Sequence, residues 1–494
     1  MSILYKVKCN VLLSGIPGLF FFIWQGVGGK VFSQTRDSIH ALGERHPCLA
    51  IVCEKILPPT PASFKVKKIA GIAVLLLPLR IVLLFFLLLF GQNIAAKPVE
   101  IVMWHSLAGN LGEEIRQLVA DFNQQQLEYC IKLIYKGEYT ESLTNFAAAI
   151  RAKQPPAIIQ IAEVGTALML KPAGIIKPVE DLMDQQKITL PIADFFPELR
   201  AMYSEGGRLQ ALPLNISIPV IYYNVRALAK AGYQHKPFPR TWQEIEILAA
   251  KLKKIGFNCV YTSAYQSWVQ IEAFAAIHGL PLFDEKNGKA VYDHPLIINH
   301  LARLQSWLHK HYFAYGGRTS DATNLFTSGR CPLFSQSSGS HVSLAKLTNF
   351  PLGMAPLPID SEVNQSKRGH IIGGAALWAV AGQAVEVERG IAHFFAYLAA
   401  PPIQQRWLEN TGYLPLGING VYAAINLNPV LLPSSPAHLI STTNYTSVPL
   451  NQLRLINDEA LEKIFAGIKT PKQAIVEAVR KADYVLYRFK RNNE

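Results

Sequence analysis

Seven residues whose groups could bind a small anion are spread along the chain, mostly in short polar stretches between apolar runs. They are Tyr139, Glu163, Ser217, Ser337, Gly374, Tyr413 and Arg454. An arginine can donate two parallel N–H groups to a phosphate, hydroxyl groups add neutral donors, and a glycine lets a ligand approach its backbone N–H. We predict that these residues converge on a small phosphate-bearing molecule. The Glu163 carboxylate would repel the phosphate, so we expect it at the other end of the ligand.

The stretch Ile371–Trp378 carries Gly373 and Gly374 between apolar residues. A glycine in a strand-like run marks either a close approach to the backbone or a bulge. The other residues have equally ordinary alternatives when each is taken alone. Arg454 could form a surface salt bridge, Ser337 could belong to a turn, and Glu163 could cap a helix. The sequence leaves both interpretations open at each position.

Two aromatic residues, Tyr265 and Trp268, lie in a predicted loop and could stack on the ligand. Their faces would suit carbon atoms or a quaternary ammonium head group. His309 and His311 do not face each other on a helix, so no metal site is predicted. No cofactor is predicted either.

The charge of the chain does not indicate a nucleic-acid partner. The net charge is +13, but residues 1–96 hold ten of the lysines and arginines and three of the acidic residues, which leaves 38 basic against 32 acidic side chains in the rest. No basic patch interleaved with aromatic residues is present. Half of the residues are apolar and 17% are charged, which is typical of a packed globular protein.

The three cysteines of the body are Cys130, Cys259 and Cys331. The sequence contains no C-x-x-C motif, so zinc or thioredoxin-like chemistry is not predicted. If the body is exported, one pair could form a disulfide, and Cys259–Cys331 is the pair that we expect. Three buried thiols are the alternative.

The region before the body resembles an export signal. Residues 66–96 combine a basic head, a long apolar run and small residues at the end, as a signal peptide does. The run is long and contains Arg80, so an uncleaved membrane anchor is the alternative. Residues 1–65 would then be a spurious or atypical extension, with translation starting near Val66 at a codon other than AUG.

The body alternates strands and helices in two successive units. Val99–Trp104, Ile131–Tyr135 and Ala157–Ile161 read as strands separated by amphipathic helices, the pattern of a parallel sheet. Ligands bind at the carboxyl ends of such strands, where Tyr139 and Glu163 fall. A second α/β unit begins with the strand Pro219–Asn224, and Thr241 with Glu244 fits a capping box at the start of a helix.

From about Val99 to Tyr487 the chain resembles the extracellular solute-binding proteins (family 1) of ABC importers. Within that family it is most similar to members that bind glycerol 3-phosphate and glycerophosphodiesters. The segments that carry the resemblance are Trp104–Ser106, Tyr135–Tyr139, Glu163–Ala167, Pro219–Asn224, Ser337–Ser340, Ile371–Trp378, Thr411–Pro415 and Gln452–Arg454. One position departs from the family, which has a tryptophan where this chain has Tyr265.

The resemblance implies a two-lobed periplasmic-binding-protein type II fold, with parallel-sheet lobes joined by a hinge that the chain crosses more than once. Lobe 1 would comprise residues 97–217 and 354–415, and lobe 2 residues 218–353 and 416–494. It also implies that the seven residues above contact the ligand. The partners would be a small phosphorylated ligand and the ABC permease with its ATPase subunits, and the location would be the periplasm.

Two other functions remain open. An oligosaccharide-binding protein of a sugar importer would keep the fold and exchange the ligand. A secreted phosphodiester or glycoside hydrolase would need a catalytic constellation, but no G-x-S-x-G motif occurs and Glu163 is the one candidate carboxylate. We therefore predict a binding protein and no enzymatic activity.

Overall fold

The computed structural model describes residues 97–284, 286–361, 369–417, 439–440 and 448–493. The predicted extension 1–65 and the signal or anchor 66–96 lie outside these residues. Within the described ranges, no helix is both long and apolar enough to cross a membrane. The chain divides into two compact units, and all elements discussed at the site belong to the one formed by Ile101–Phe122 and Leu133–Glu494.

The strands follow one another along the whole described chain. In order they are β1 (Val99–His105), β2 (Tyr129–Tyr135), β3 (Ile158–Ala162), β4 (Ile176–Lys177), β5 (Ser204–Glu205), β6 (Arg208–Leu209), β7 (Leu212–Ser217), β8 (Pro219–Asn224), β9 (Tyr261–Ser263), β10 (Phe283–Asp284), β11 (Lys289–Ala290), β12 (Phe313–Ala314), β13 (Leu333–Ser337), β14 (Leu352–Pro356), β15 (His370–Ile371), β16 (Gly373–Val380) and β17 (Leu439–Ile440).

Helices alternate with these strands. The α-helices are α1 (Gly109–Gln125), α2 (Tyr139–Arg151), α3 (Thr166–Leu170), α4 (Val179–Gln186), α5 (Pro197–Met202), α6 (Val225–Leu228), α7 (Trp242–Lys254), α8 (Phe274–Ile277), α9 (Pro295–His309), α10 (Thr323–Thr327), α11 (His341–Leu347), α12 (Val385–Ala399), α13 (Pro401–Thr411), α14 (Leu450–Phe465) and α15 (Pro471–Asn493). The 3₁₀ turns are Glu163–Gly165, Ile192–Asp194 and Ser338–Ser340, and the π-helical turns are Ala229–Tyr233 and Trp268–Ala273.

Two larger sheets organise the fold. The first has the order β2-β1-β3-β16-β4, with β7 also paired to β16, and the second has the order β12-β9-β13-β8-β14. In the first, β1 and β3 are parallel, whereas β16 runs antiparallel to β3, β4 and β7. In the second, β9 is parallel to β12 and β13, whereas β8 is antiparallel to β13 and β14. The sheets are therefore mixed rather than purely parallel, because β8 and β16 each run against the βαβ strands beside them.

The chain passes between the two sheets twice within the described residues. It leaves the first sheet after Ser217 and enters the second at Pro219. Strand β14 stays in the second sheet up to Pro356, past the predicted boundary between residues 353 and 354, and β16 then returns to the first sheet. The division into two lobes as a whole stays a prediction.

Helix α14 was not anticipated, since the segment around Arg454 was expected to be a short turn-like stretch. Its residues Leu450, Leu453 and Leu461 belong to the same apolar core as Val260 and Leu333. Val260 directly precedes β9, and Leu333 lies in β13 of the second sheet. Helix α15 joins that core through Ile475. Packing of an apolar face against the sheet, rather than local propensity, fixes these helices.

Two local predictions are confirmed. Thr241 and Glu244 form the capping box that begins α7, with Thr241 Oγ1 accepting from the Glu244 N–H at 3.1 Å. Cys259 and Cys331 form a disulfide across Cα atoms 4.8 Å apart. Because these cysteines precede the parallel strands β9 and β13, the bond links the two strands at the ends where they begin.

Candidate functional site

Three of the predicted residues meet at one carboxylate. Glu163 directly follows β3 and is 5% exposed. Its Oε2 accepts from the Gly374 N–H at 3.2 Å, and its Oε1 lies 2.8 Å from Nη1 of Arg454. The Glu163 carboxylate therefore contacts both the backbone amide of Gly374 in β16 and the guanidinium of Arg454 in α14.

A second carboxylate, that of Glu272, pairs with the same guanidinium through its other N–H groups. Glu272 lies in the π-helical turn, is 1% exposed, and accepts from Arg454 Nε at 2.7 Å and from Nη2 at 2.8 Å. Burial alone would lower the pKa of Arg454, but the attraction of Glu272 and Glu163 outweighs burial and raises the pKa. Arg454 thus stays a cation in a buried site, and two negative charges surround one positive charge.

Gly374 is the residue that the backbone requires here. Its φ is 125°, and an added Cβ would collide with the carbonyl oxygen of Asn215 on the paired strand β7. The register of β16 shifts just beyond it, between Ala375 and Ala376. The alternative of a bulge and the proposed close approach therefore coexist: the irregular strand turns the N–H toward Glu163.

One of the two predicted tyrosines is held by an amide. Asn215 Nδ2 donates to Tyr139 Oη at 2.9 Å. Burial is the largest of the causes that raise the pKa of both Tyr139 and Tyr413, and the Glu163 carboxylate contributes in the same direction. Both hydroxyls therefore remain protonated at neutral pH, next to Glu163.

The two predicted serines lie at strand ends, and Ser217 lies beside the glycine pair. Ser217 ends β7 and pairs with Gly373 of β16, and Ser337 ends β13 and pairs with Pro219 of β8. The Ser337 hydroxyl accepts from the Gly339 N–H at 3.1 Å. Ser337 is therefore also a cap of a 3₁₀ turn, which was the ordinary alternative for it.

The predicted aromatic pair borders the same region. A Cβ on Gly373 would lie 2.5 Å from Cζ2 of Trp268, so the indole ring lies directly against this glycine. Tyr265 meets Trp268 edge-on, with ring centroids 6.3 Å apart. Burial raises the pKa of Tyr265 to about 12, and Glu163 adds to that effect. Trp268 begins the π-helical turn rather than lying in a loop.

The Glu163 carboxylate contacts both Arg454 and Gly374. A partly buried guanidinium needs compensating charge, and Glu163 together with Glu272 supplies it. That Glu163 faces the end of the ligand away from the phosphate stays a prediction.

Sequence reasoning missed three buried polar residues, Gln160, Asn215 and Glu272, and the partly buried Asp458. Glu272 carried a usable signal, because it is a charged residue within the apolar run from Val269 to Ile277. Asp458 lies one helical turn after Arg454, where the predicted turn-like stretch gave no reason to look for a helix face. Burial raises the pKa of Asp458 to about 7, and the neighbouring Arg454 and Arg318 limit that rise.

Comparison with known proteins shows the family of this chain. Residues 117–426 match the family described as bacterial extracellular solute-binding protein. The chain belongs to this family. The sn-glycerol-3-phosphate-binding periplasmic protein UgpB of Yersinia pseudotuberculosis is 36% identical over 429 residues, which cover 82% of this chain and 96% of that protein. UgpB of an Escherichia coli O1:K1 strain is 36% identical over 416 residues, covering 80% and 94%.

Solved structures show the same fold. UgpB from Mycobacterium tuberculosis in complex with glycerophosphocholine has a TM-score of 0.69 at 23% identity, covering 79% of this chain and 98% of that one. The GacH receptor of Streptomyces glaucescens, solved unliganded and with acarbose, has a TM-score of 0.68 at 17% identity, covering 79% and 99%. The predicted type II fold of periplasmic binding proteins is therefore confirmed.

Proposed function

We propose that this member of the family is the periplasmic substrate-binding component of an ABC importer for glycerol 3-phosphate or glycerophosphodiesters. The ligand would lie between Gly374, Arg454, Glu163 and the two tyrosines, with Ser217 and Ser337 as further donors. Relatives 36% identical over most of the chain carry a glycerol-3-phosphate-binding name, which supports this ligand class.

One observation carries the proposal. The Gly374 N–H and the Arg454 guanidinium converge on a single buried carboxylate, and both donors are themselves partly buried. Donors that hold a carboxylate oxygen in a buried site can hold a phosphate oxygen in the same place. The ligand anion would replace Glu163 at these donors, and the released carboxylate would then accept from the glycerol hydroxyls, as its chemistry requires.

The charge balance favours a diester over a monoester. Glu163 and Glu272 outweigh the one charge of Arg454, so the three together are net negative. A phosphate monoester brings nearly two negative charges to this site, whereas a diester with a cationic head group brings none in sum. The head group could lie against the faces of Tyr265 and Trp268 through a cation–π contact. We therefore expect zwitterionic glycerophosphodiesters to bind more tightly than glycerol 3-phosphate.

A neutral oligosaccharide is the second candidate, and one observation favours it. Arg454 already has two carboxylate partners, so it does not need a ligand anion for charge compensation. An aromatic wall and several hydroxyl groups would suit a sugar ring. This candidate differs from the first in its dependence on Arg454.

We propose binding without turnover. Hydrolysis of a phosphodiester or glycoside by paired carboxylates needs one of them as a free acid or nucleophile. Both Glu163 and Glu272 are engaged with the same guanidinium, which opposes either role.

Isothermal titration calorimetry of the purified protein tests these alternatives. Glycerophosphocholine, glycerol 3-phosphate and maltose would be titrated in parallel, and released choline would be assayed after each run. We expect saturable binding of the diester, weaker binding of the monoester and intact ligand. Binding of maltose alone would support the oligosaccharide candidate, and choline release would support the hydrolase.

We also propose that lobes 97–217 with 354–415 and 218–353 with 416–494, adjusted so that all of β14 belongs to the second, close on the ligand, and that the closed form docks on the permease. Export would use residues 66–96 as a signal or anchor. Mass spectrometry of the native protein distinguishes these, because a cleaved signal gives a mature N-terminus near Lys97, whereas peptides from residues 1–60 would contradict the late start.

A further inference from the structure

A series of buried amides connects the backbone after β1 to Tyr139 of the site. The Ser106 N–H donates to Gln160 Oε1 at 2.9 Å, and Gln160 Nε2 donates to Asn215 Oδ1 at 2.8 Å. Asn215 Nδ2 then donates to Tyr139 Oη at 2.9 Å. Gln160 and Asn215 are fully buried and lie on β3 and β7, which flank β16 from its two sides.

The direction of every hydrogen bond in this series of amides follows from its first donor, the Ser106 N–H. A backbone N–H can only donate, so the oxygen of Gln160 must face Ser106 and its NH₂ group must face Asn215. The oxygen of Asn215 then faces Gln160, and its NH₂ group faces Tyr139. The usual ambiguity of amide orientation is thereby removed.

The direction of this series matters for the ligand. The Tyr139 oxygen receives a hydrogen bond from Asn215, so it acts as an acceptor on that side. Its own hydroxyl proton must then be donated elsewhere. With the opposite amide orientation this phenol would donate to Asn215 and offer lone pairs to the ligand.

We propose that Gln160 and Asn215 are positioning residues that make Tyr139 a hydrogen-bond donor toward the ligand, and so select ligand atoms that accept hydrogen bonds. Neither amide needs to touch the ligand. The proposal rests on the proposed function for the identity of the ligand, here the phosphate oxygens of a diester, but the orientation of the Tyr139 phenol is independent of it.

Two isosteric variants reverse the hydrogen-bond directions in this series of amides, each at a different residue. N215D replaces the donating NH₂ group by an acceptor beside Tyr139. Q160E leaves the oxygen that faces Ser106 but presents a second oxygen to Asn215, so Asn215 must turn over and present its own oxygen to the phenol. The matched control is Q210E, because Gln210 is also buried and donates to the carbonyls of Glu205 and Arg208 without contacting the site tyrosines.

Binding of glycerophosphocholine gives the first readout. Both N215D and Q160E should weaken it by about tenfold to a hundredfold, since the Tyr139 donor is lost to the ligand, and Q210E should change it less than about threefold. The deficit of N215D relative to wild type should shrink as the pH falls from 8 to 5, because a protonated carboxyl can donate again. A general loss of structure would not produce such a recovery.

Infrared spectroscopy of ligand-free protein with isotope-labelled tyrosine gives the second readout. The C–O stretch of a phenol distinguishes accepting from donating hydroxyls, and Y139F assigns the band of Tyr139. This band should shift in N215D and Q160E, where the phenol donates to residue 215 instead of accepting from it, but not in Q210E. An unshifted band, or unchanged affinity with a folded protein, would overturn the proposal. If wild type binds no phosphodiester while the band shifts, the positioning role stands and the proposed ligand fails.

Discussion

The two sides of the candidate site are built from different chemistry. On the side of the first sheet, the neutral amides of Gln160 and Asn215 lie on strands and hold Tyr139. On the side of the second sheet, the ion pair of Arg454 and Glu272 and the titratable Asp458 lie on helix α14 and on the π-helical turn. Glu163 follows a strand of the first sheet but pairs with the ion of the second.

This difference teaches how each side keeps its geometry. Neutral amides on strands are fixed by hydrogen bonds that do not titrate in the physiological range, so their arrangement is independent of pH. Buried ions are held by one another, and removing one leaves its partners uncompensated. The first side should therefore determine which atoms the ligand presents, and the second should determine affinity, stability and response to pH.

Loss of the guanidinium should give the largest effect. Arg454→Ala should weaken a phosphodiester ligand by about 2–5 kcal/mol, because a desolvated charge pair is lost. A neutral sugar should lose much less. Calorimetry with both ligands measures the difference, and equal losses for the two would contradict the assignment of Arg454 to the anion.

Arg318 provides the matched control for this variant. It also forms a two-pronged pair, with Nε 2.8 Å and Nη2 2.5 Å from the Glu462 carboxylate, but both side chains are more than a third exposed. Arg318→Ala should change affinity and stability by less than about 1 kcal/mol, as expected for a solvated pair. A large effect on binding would indicate instead that the ligand anion binds at Arg318, beside Glu462.

The disulfide should affect stability but leave affinity almost unchanged. Cys259 and Cys331 are 72 residues apart, and opening a loop of that length costs about 4 kcal/mol in chain-entropy terms. The double substitution to serine should therefore lower the midpoint of chemical unfolding. The bond joins the beginnings of β9 and β13, whereas Ser337 lies at the other end of β13, so calorimetry should give wild-type affinity. A large loss of affinity would mean that the second side depends on this covalent link.

Sequence alone predicted much of the fold. The alternation of apolar strands with amphipathic helices indicated two α/β units, and the capping box at Thr241 and the pair Cys259–Cys331 were local patterns that the structure confirms. The reversed direction of β16 was not predictable from its residues, because apolar strands look alike in either direction. Helix α14 was missed although its buried residues recur at helical spacing, and Asn457 is the one polar residue among them.

The candidate site was less accessible to spacing arguments. Tyr139 and Arg454 are far apart in the sequence, and only the family resemblance suggested that they belong together. The bond between Glu163 and Arg454 could not be foreseen, since charge repulsion between Glu163 and a phosphate was considered without Glu272. Which of these residues contact the ligand stays a prediction.

Protonation of Asp458 should give the smallest effect on stability. It distinguishes the two sides of the site by their response to pH. Arg454 and Arg318 face this carboxyl and favour its charge, Glu272 opposes it, and the Ser267 backbone N–H also favours it, but burial is the largest cause and raises the pKa to about 7. One carboxylate oxygen of Asp458 has no hydrogen-bond partner among the described residues. Between the ordinary pKa of an aspartate and pH 7, the folded state therefore holds a proton that the unfolded state has lost.

Linkage then fixes the sign of the pH dependence. Asp458 should make the free energy of unfolding fall as the pH rises from about 4 to about 7, with no further change from this group above that window. Asp458→Asn should remove this slope, so that the variant gains on the order of 1 kcal/mol over wild type at pH 8 relative to pH 5. Urea unfolding of both proteins at the two pH values measures the difference. Parallel pH slopes for wild type and Asp458→Asn would show instead that Asp458 is already ionised at pH 5.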